Sequence, residues 1–363
     1  MIFDISDANF RKIFDDISFH LPIRWDGKDF PETLNNLFMR YISRIQGICT
    51  NSRVKDIQLD CDLIVKAIRH YLNGYPDKAY NSMERLMTRM TSSYAGNYFQ
   101  TAMDEFRFEE ENRFYPLYLF RATSVPDNQP YERERIFHTP YNMRSRVSTN
   151  RYSIAGFPSL YLGTSLELCC EEIHLNPHQG FSIAARFEPD VYYKFEDKPI
   201  SFIDLAIKPQ DFIGPYADNR TMGRNVNQHT LIDPQAKAAY LSWYPLIAAC
   251  SYIRVNKEDP FAAEYIIPQL LMQWVRSEMQ ATKKHKNQLV GIRYFSCSSI
   301  RASDMGFNYV FPTSGEQRKD KPYCPVLTDA FRLTKPHYIH EYSNIEQCQN
   351  ALINDLDVEH IQI

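Results

Sequence analysis

The sequence predicts an α+β protein in which a helical region precedes a core of short strands. In residues 1–112 apolar side chains recur at the spacing of helix faces, as in the set Leu34, Leu37, Phe38, Tyr41 and Ile42. Beyond residue 113 the apolar runs shorten to strand length, and a stretch rich in Pro, Asn, Arg and Ser at 123–158 predicts a long loop. Helices followed by strands are typical of the α+β class.

The individual elements follow from the same patterns in chain order. Short apolar runs predict strands at 115–122, 159–163, 181–187, 200–205, 289–296, 307–311, 338–342 and 358–363. Longer apolar stretches with helical spacing predict helices at 165–174, 236–252, 261–279 and 344–354.

The length of the chain, 363 residues, is sufficient for two domains. Residues 1–112 are predicted to form a helical regulatory or interaction domain, and residues 113–315 a strand-rich domain that carries the chemistry. The helices in the second domain predict a helical insertion at about 213–288. Residues 316–363 are predicted to form a C-terminal β/α extension that packs on the second domain.

Composition excludes several function classes. The net charge of −3, from 41 basic and 44 acidic residues, provides no general attraction to nucleic acid or to an acidic membrane. The eight cysteines include no CxxC pair, so the sequence predicts no metal site. A signal-peptide pattern and a membrane-length apolar run are both lacking, and we therefore expect a cytoplasmic protein with reduced thiols and no membrane partner.

Five side chains near the predicted strand 159–163 suit a nucleotide. Arg121 ends an apolar strand, Arg151 and Tyr152 lie in the polar loop, Tyr161 is on the strand itself, and Glu171 is on the helix that follows. A guanidinium binds phosphate, an aromatic packs on a flat ring, and a carboxylate stabilises a developing cation. Taken alone, Arg121 is more simply interpreted as half of a surface ion pair at a strand end.

Two further signals concern hydroxyl residues. Thr164 and Glu167 have the spacing of a capping box at the start of a helix, which predicts a structural role for Glu167. Ser296 ends a predicted strand and can donate a hydrogen bond to a phosphate or a sugar hydroxyl. A turn serine that bonds its own backbone is the alternative, and Ser298 is a second candidate for the same role.

Four segments, in this order, resemble the RES-domain family, which is named for an arginine, a glutamate and a serine. They are Leu117–Ala122, Arg151–Gly163 including the Gly-Phe-Pro turn, Ser165–Glu171, and Gly291–Ser296 with the following strand Gly306–Phe311. The resemblance covers roughly residues 113–312, a little over half of the chain.

The resemblance implies an ADP-ribosyltransferase-like mixed β core and an NAD-degrading enzyme that acts as a toxin or an abortive-defence effector. Members of this family cleave the bond between nicotinamide and ribose with water or phosphate as the acceptor, so NAD is a substrate and no other cofactor is required. By this resemblance Glu171 stabilises the ribose cation, and Arg121 and Arg151 hold the diphosphate. Tyr161 or Tyr152 packs on a flat ring, and Ser296 binds the phosphate or the acceptor.

Other readings remain open at this stage. The chain has Asn150, Ser153 and Gly163 where the family commonly has glycine, asparagine and alanine. An ADP-ribosyltransferase that modifies a macromolecule, or a catalytically decayed nucleotide-binding module, would also fit the pattern. The family resemblance further suggests an inhibitory antitoxin or regulator protein as a partner, and a homodimer.

Overall fold

A computed structural model describes most of the chain. The described residues are 5–102, 108–110, 113–115, 117–175, 180–190, 194–195, 198–212, 234–256, 258–280, 288–314 and 321–361. Parts of the predicted helical insertion, at 213–233 and 281–287, lie outside them. Among the described residues, no helix is both long and apolar enough to cross a membrane.

Nine α-helices are described. They are α1 (Asp7–Phe14), α2 (Phe30–Ile45), α3 (Asn51–Leu72), α4 (Pro76–Thr91), α5 (Leu166–Glu172), α6 (Pro234–Ala249), α7 (Ile266–Gln280), α8 (Pro325–Ala330) and α9 (Ile345–Asn354), all within the described part of the chain.

The described strands are all short. They are β1 (Gln100–Ala102), β2 (Phe108–Glu110), β3 (Arg113–Tyr115), β4 (Leu119–Val125), β5 (Ser159–Gly163), β6 (Phe181–Pro189), β7 (Lys194–Phe195), β8 (Lys198–Leu205), β9 (Gln288–Phe295), β10 (Phe307–Pro312), β11 (Phe331–Thr334), β12 (His337–Tyr338) and β13 (Val358–His360). Together with the helices they make the α+β class expected from the sequence.

The chain divides into two compact units. The first comprises residues 1–101 and 207–274, and the second comprises residues 102–206 and 275–363. This division differs from the predicted domains, because the helices at 234–274 belong with the N-terminal helices. The physical reason is that α6 is buried on all sides and therefore needs surrounding helices.

Aromatic side chains form the core of the first unit. Phe14 lies 5.0 Å, centroid to centroid, from Tyr244 on α6, and Tyr41 on α2 lies 4.6 Å from the same ring. The buried hydroxyl of Tyr41 donates to the carbonyl of Leu241 at 2.7 Å. These contacts join residues some 200 positions apart, which the local sequence pattern does not reveal.

A mixed sheet forms the second unit. Its strands follow the order β8-β9-β10-β5-β4-β6-β11-β13, with β7 beside β8 and β12 beside β6. Strands β8 and β9 are parallel, and the other neighbouring pairs are antiparallel. The predicted C-terminal extension is continuous with this sheet, since β11 pairs with β6 and β13 pairs with β11.

Two buried arginines fasten the C-terminal segment to the sheet. Arg133 donates from Nε to the carbonyl of Leu333 at 2.8 Å and from Nη2 to the carboxylate of Asp357 at 2.6 Å. Arg186 on β6 donates to the carbonyl of Ile353 in the last turn of α9 and to that of Asp355 at 2.8 Å. Cations at a helix C-terminus satisfy its free carbonyls and oppose its dipole.

Candidate functional site

The strand β5 lies between β4 and β10, and α5 begins directly after it. Gly163, the last residue of β5, is opposite Asn308 on β10 and opposite Phe120 on β4. Residues on facing antiparallel strands at such positions point to the same side of the sheet. Tyr161, two residues earlier, is on this side too because side chains alternate along a strand.

The start of α5 corrects the predicted capping box. Ser165, not Thr164, is the N-cap, and its hydroxyl accepts from the backbone N–H of Leu168. Thr164 instead accepts from the backbone N–H of Phe307 on β10 at 2.9 Å. Glu167 pairs with Arg301 at 3.3 Å on the surface, so its role is still structural but does not involve the cap.

Gly163 allows α5 to approach the sheet closely. A Cβ at this position would lie 2.8 Å from the sulfur of Cys169 and 3.5 Å from Oδ1 of Asn308. Since Cys169 is buried and its thiol donates to the carbonyl of Phe120 at 3.1 Å, the sulfur has little freedom to move. The absence of a side chain at Gly163 therefore leaves the space that the sulfur of Cys169 occupies.

We expect Gly163→Ala to lower the free energy of unfolding by about 1–3 kcal/mol, the usual cost of overpacking a core. Adding Cys169→Ala should restore part of this loss, because the second substitution removes the atom that clashes. Urea denaturation of the two single variants and the double variant measures both effects. Equal stability of Gly163→Ala and the unsubstituted protein would contradict the close packing.

Arg121 lies where β4 and β5 stop pairing. The two strands are paired at Phe120 and Gly163, and Arg121 is the next residue on β4, opposite Ala185 on β6. Its Nη1 atom is buried and has no hydrogen-bond partner among the described residues. A buried guanidinium nitrogen without an acceptor is costly and uncommon, so its retention needs an explanation.

Burial dominates the electrostatics of Arg121. Desolvation, reinforced by the charge of Arg135, lowers the pKa of the Arg121 guanidinium to about 10, while Cys169 and Tyr161 act in the opposite direction. The side chain remains a cation at neutral pH. It is a desolvated positive charge that an anionic ligand could neutralise.

The loop arginine and its neighbour are held by the sheet. Arg151 is 9% exposed, and its Nη2 donates to the carbonyl of Cys297 at 3.5 Å. Tyr152 is 1% exposed and packs on Tyr294 of β9 with 4.6 Å between ring centroids. The burial of Tyr152 leaves it little surface on which a ligand could stack.

Of Tyr152 and Tyr161, Tyr161 has the more exposed ring. It is half-buried, and its hydroxyl shares a 2.7 Å hydrogen bond with Oγ of Ser153, which in turn donates to Oγ of Ser159 at 2.9 Å. The hydrogen bonds fix the position of the hydroxyl at the end of the ring. Ser153 thus anchors the hydroxyl of the strand tyrosine.

The carboxylate that faces this cluster belongs to Glu172. Its Oε1 accepts a 2.6 Å hydrogen bond from Nδ2 of Asn308, which is 5% exposed. Burial raises the pKa of Tyr294 well above its usual value, and Glu172 is the nearby charge that adds most to this effect. In contrast, no side-chain hydrogen bond or ion pair involves Glu171 among the described residues, although it is half-buried too.

Helix geometry explains why adjacent glutamates differ. Cys169 faces Gly163 on the sheet, and the residue three positions later shares its side of the helix. That residue is Glu172, whereas Glu171 is two positions later and points elsewhere. The three-residue spacing of Cys169 and Glu172 is present in the sequence, but it selects Glu172 only once Cys169 is known to contact the strand.

Ser296 lies just after β9 and is fully buried. Its Oγ accepts from the backbone N–H of Ser298 at 3.2 Å and shares a 3.0 Å hydrogen bond with the hydroxyl of Ser298. This is the turn arrangement that was the structural alternative for Ser296. Ser298 is half-buried, so it is the more accessible hydroxyl of the pair.

The pKa of the buried Cys169 thiol is influenced by two charged side chains of the candidate site, Glu172 and Arg121. The pKa of Cys169 is raised first by burial and then by Cys170, and Glu172 raises it while Arg121 lowers it. A cation on β4 and a carboxylate on α5 are therefore both within electrostatic range of one atom. The described residues contain no group of three potential metal ligands.

The chain is 29% identical over 338 residues to a protein of Bacillus subtilis (strain 168) that carries the name "Putative toxin YopC". The alignment covers 87% of this chain and 67% of that protein. Because neither compact unit alone accounts for this share of the chain, the similarity includes residues of both. No protein-family model and no solved structure matches the chain.

Proposed function

We propose that this protein is a toxin that degrades NAD by cleaving the bond between nicotinamide and ribose. The toxin role is carried over from the name of the Bacillus subtilis relative. The reaction is inferred from the residues of the second unit and from their resemblance to the RES-domain family. A cytoplasmic site of action, where NAD is available, is part of the same proposal.

The observation that carries the proposal is the combination of Arg121, at the point where β4 and β5 stop pairing, with Glu172, on the helix that follows β5. Arg121 offers a buried cation without a protein acceptor on Nη1, and Glu172 offers a carboxylate held by Asn308. NAD presents the complementary charges, a diphosphate and a cationic nicotinamide riboside. A ligand that spans both groups would neutralise Arg121 and bring its ribose towards Glu172.

The chemistry then requires little from the protein. As the bond between ribose C1′ and the nicotinamide nitrogen breaks, its electron pair neutralises the pyridinium, and the positive charge moves to the ribose. The carboxylate of Glu172 stabilises that charge. Oxygen of water or of phosphate then bonds to C1′, and the acceptor proton passes to solvent. Tyr161 packs on a flat ring of the ligand, and Arg151 helps to hold the diphosphate.

We expect Arg121→Gln to raise the KM for NAD at least tenfold without lowering the free energy of unfolding. A structural arginine behaves in the opposite way, because breaking a buried ion pair is strongly destabilising. Steady-state kinetics and urea denaturation on the same variant give both quantities. An unchanged KM, or a large loss of stability with unchanged binding, would argue for a structural role.

The reaction itself is tested by incubating the purified chain with NAD, with and without phosphate, and separating the products. Nicotinamide together with ADP-ribose indicates water as the acceptor, and ADP-ribose 1-phosphate indicates phosphate. Transfer of an adenosine label to a macromolecule would instead establish an ADP-ribosyltransferase. Binding of NAD without any product would favour a decayed nucleotide-binding module.

A further inference from the structure

We propose that Arg144 and Arg276 together form a binding site for a dianionic phosphoryl group. The ligand is either inorganic phosphate or a nucleoside monophosphate. Arg144 lies in the short 3-10 helix Tyr141–Arg146 of the loop before β5, and Arg276 lies on α7. Both belong to the second compact unit. The site uses none of the residues assigned to NAD cleavage and does not depend on the proposed NAD chemistry.

Aromatic rings position both guanidinium groups. Cζ of Arg276 lies 4.1 Å from the ring centroid of Phe157, and Cζ of Arg144 lies 5.2 Å from that of Tyr141. Tyr141 is itself held in place, because it is buried and its hydroxyl donates to the carbonyl of Ser314 at 3.3 Å. Phe157 directly follows Gly156, which has a positive φ. Stacked guanidiniums keep their in-plane N–H groups free for an acceptor.

Neither arginine has a counter-charge in the described part of the chain. No carboxylate lies within ion-pair distance of Arg144 or Arg276 there, and the Nε atom of each is buried without a hydrogen-bond partner. Both residues are half-buried, so their charges are partly removed from water. Desolvated donors that lack an acceptor are normally satisfied by protein, water or a ligand.

Backbone hydrogen bonds bring the segment of Arg144 next to Phe157, the ring on which Arg276 stacks: the N–H of Val147 donates to the carbonyl of Arg144 at 3.0 Å, and the N–H of Gly156 donates to the carbonyl of Val147 at 2.9 Å. Burial lowers the pKa of Arg276, Tyr141 opposes this effect, and the charge of Arg144 lowers the pKa further. Like charges that are held together in a partly desolvated place repel each other. A doubly charged anion between them removes this repulsion, and a singly charged one does so only in part.

A phosphoryl dianion matches the donors and the total charge of two guanidiniums. A guanidinium binds two phosphate oxygens through parallel N–H donors, and two guanidiniums can serve one phosphoryl group with matching total charge. The half-buried ring of Phe157 would also suit a base, if the phosphate belongs to a nucleotide. The shared chemistry of both sources is the phosphoryl dianion.

The experiment measures the unfolding midpoint Tm of the full chain in phosphate and in chloride of equal ionic strength. We expect phosphate to raise Tm by several degrees, because a ligand that binds only the folded state stabilises it. The rise should disappear in Arg144→Gln and in Arg276→Gln, and should shrink in Arg276→Lys, which keeps the charge but loses the fork. If Arg276→Gln does not fold, Arg276→Lys still tests whether the guanidinium of Arg276 binds phosphate.

Two control variants locate the effect. Arg301→Gln removes an exposed arginine that pairs with Glu167, and Arg121→Gln removes the cation of the candidate active site; both should retain the phosphate-dependent rise. AMP, compared with phosphate and with adenosine in the Arg121→Gln background, distinguishes the sources. A larger rise with AMP than with either, lost on adding Arg144→Gln, identifies a nucleotide site at these arginines. The proposal is overturned if neither phosphate nor AMP raises Tm, or if the Arg144 and Arg276 variants respond as the unsubstituted protein does.

Discussion

Replacing Glu172 with glutamine is expected to reduce the cleavage of NAD by about 10²–10⁴-fold, the usual contribution of a positioned acid–base or charge-stabilising group. Glutamine keeps the size of the side chain and can still accept from Nδ2 of Asn308. It lacks the negative charge that stabilises the ribose cation. The loss should therefore be in kcat, with a KM for NAD that changes little.

Glu171→Gln is the matched control for this prediction. Both glutamates are on the last turn of α5 and are half-buried, and Asn308 contacts Glu172 alone of the two. If Glu172 is the working carboxylate, Glu171→Gln retains most of the activity. The reverse result, an inactive Glu171→Gln and an active Glu172→Gln, would return the role to the residue predicted from the sequence.

Removing Asn308 should separate positioning from chemistry. In Asn308→Ala the carboxylate of Glu172 loses its 2.6 Å hydrogen bond and the restraint on its orientation. A fall in kcat smaller than that of Glu172→Gln would be consistent with a positioning role. Rescue by glutamine or histidine at 308 would indicate that the donor, and not the size of the side chain, is what matters.

Local sequence signals predicted the strand of the candidate site and the tyrosine on it. The strand at 159–163 was predicted with the bounds that β5 has, because an apolar run between a Gly-Phe-Pro turn and a helix cap is a local pattern. The cap itself was misplaced by one residue. Thr164 and Ser165 are both good caps, and the backbone N–H of Phe307 decides between them by binding Thr164.

Contacts between distant segments account for the rest of the difference. The choice between Glu171 and Glu172 depends on Asn308, which is more than a hundred residues away in the chain. The helices at 234–274 were predicted from their apolar content, yet their place in the first unit depends on rings such as Phe14 and Tyr41. Periodicity identifies an element and its apolar face but does not identify the element that covers it.

The acid stability of the second unit should depend on His138. This residue is fully buried, its Nε2 accepts from the backbone N–H of Cys324 at 2.9 Å, and its Nδ1 lies 2.9 Å from the carbonyl of Thr139. The acceptor role of Nε2 requires the neutral ring with its proton on Nδ1. Burial accordingly lowers the pKa of His138 from 6.5 to about 4.

The direction of the pH effect follows from that shift. Between pH 6.5 and about 4 the unfolded chain binds a proton on this histidine and the folded chain does not, so the folded state loses stability as the pH falls. The full shift corresponds to about 3 kcal/mol, a large part of the stability of a typical domain. Asp60, whose pKa burial raises to about 6, contributes with the opposite sign in the same range.

Comparison with a His138→Gln variant isolates the histidine from Asp60. We expect the free energy of unfolding of the unsubstituted protein to fall more steeply between pH 6.5 and 4 than that of the variant. Parallel pH profiles for the unsubstituted protein and His138→Gln would mean that the ring accepts a proton in the folded state, which the backbone N–H of Cys324 pointing at Nε2 should prevent.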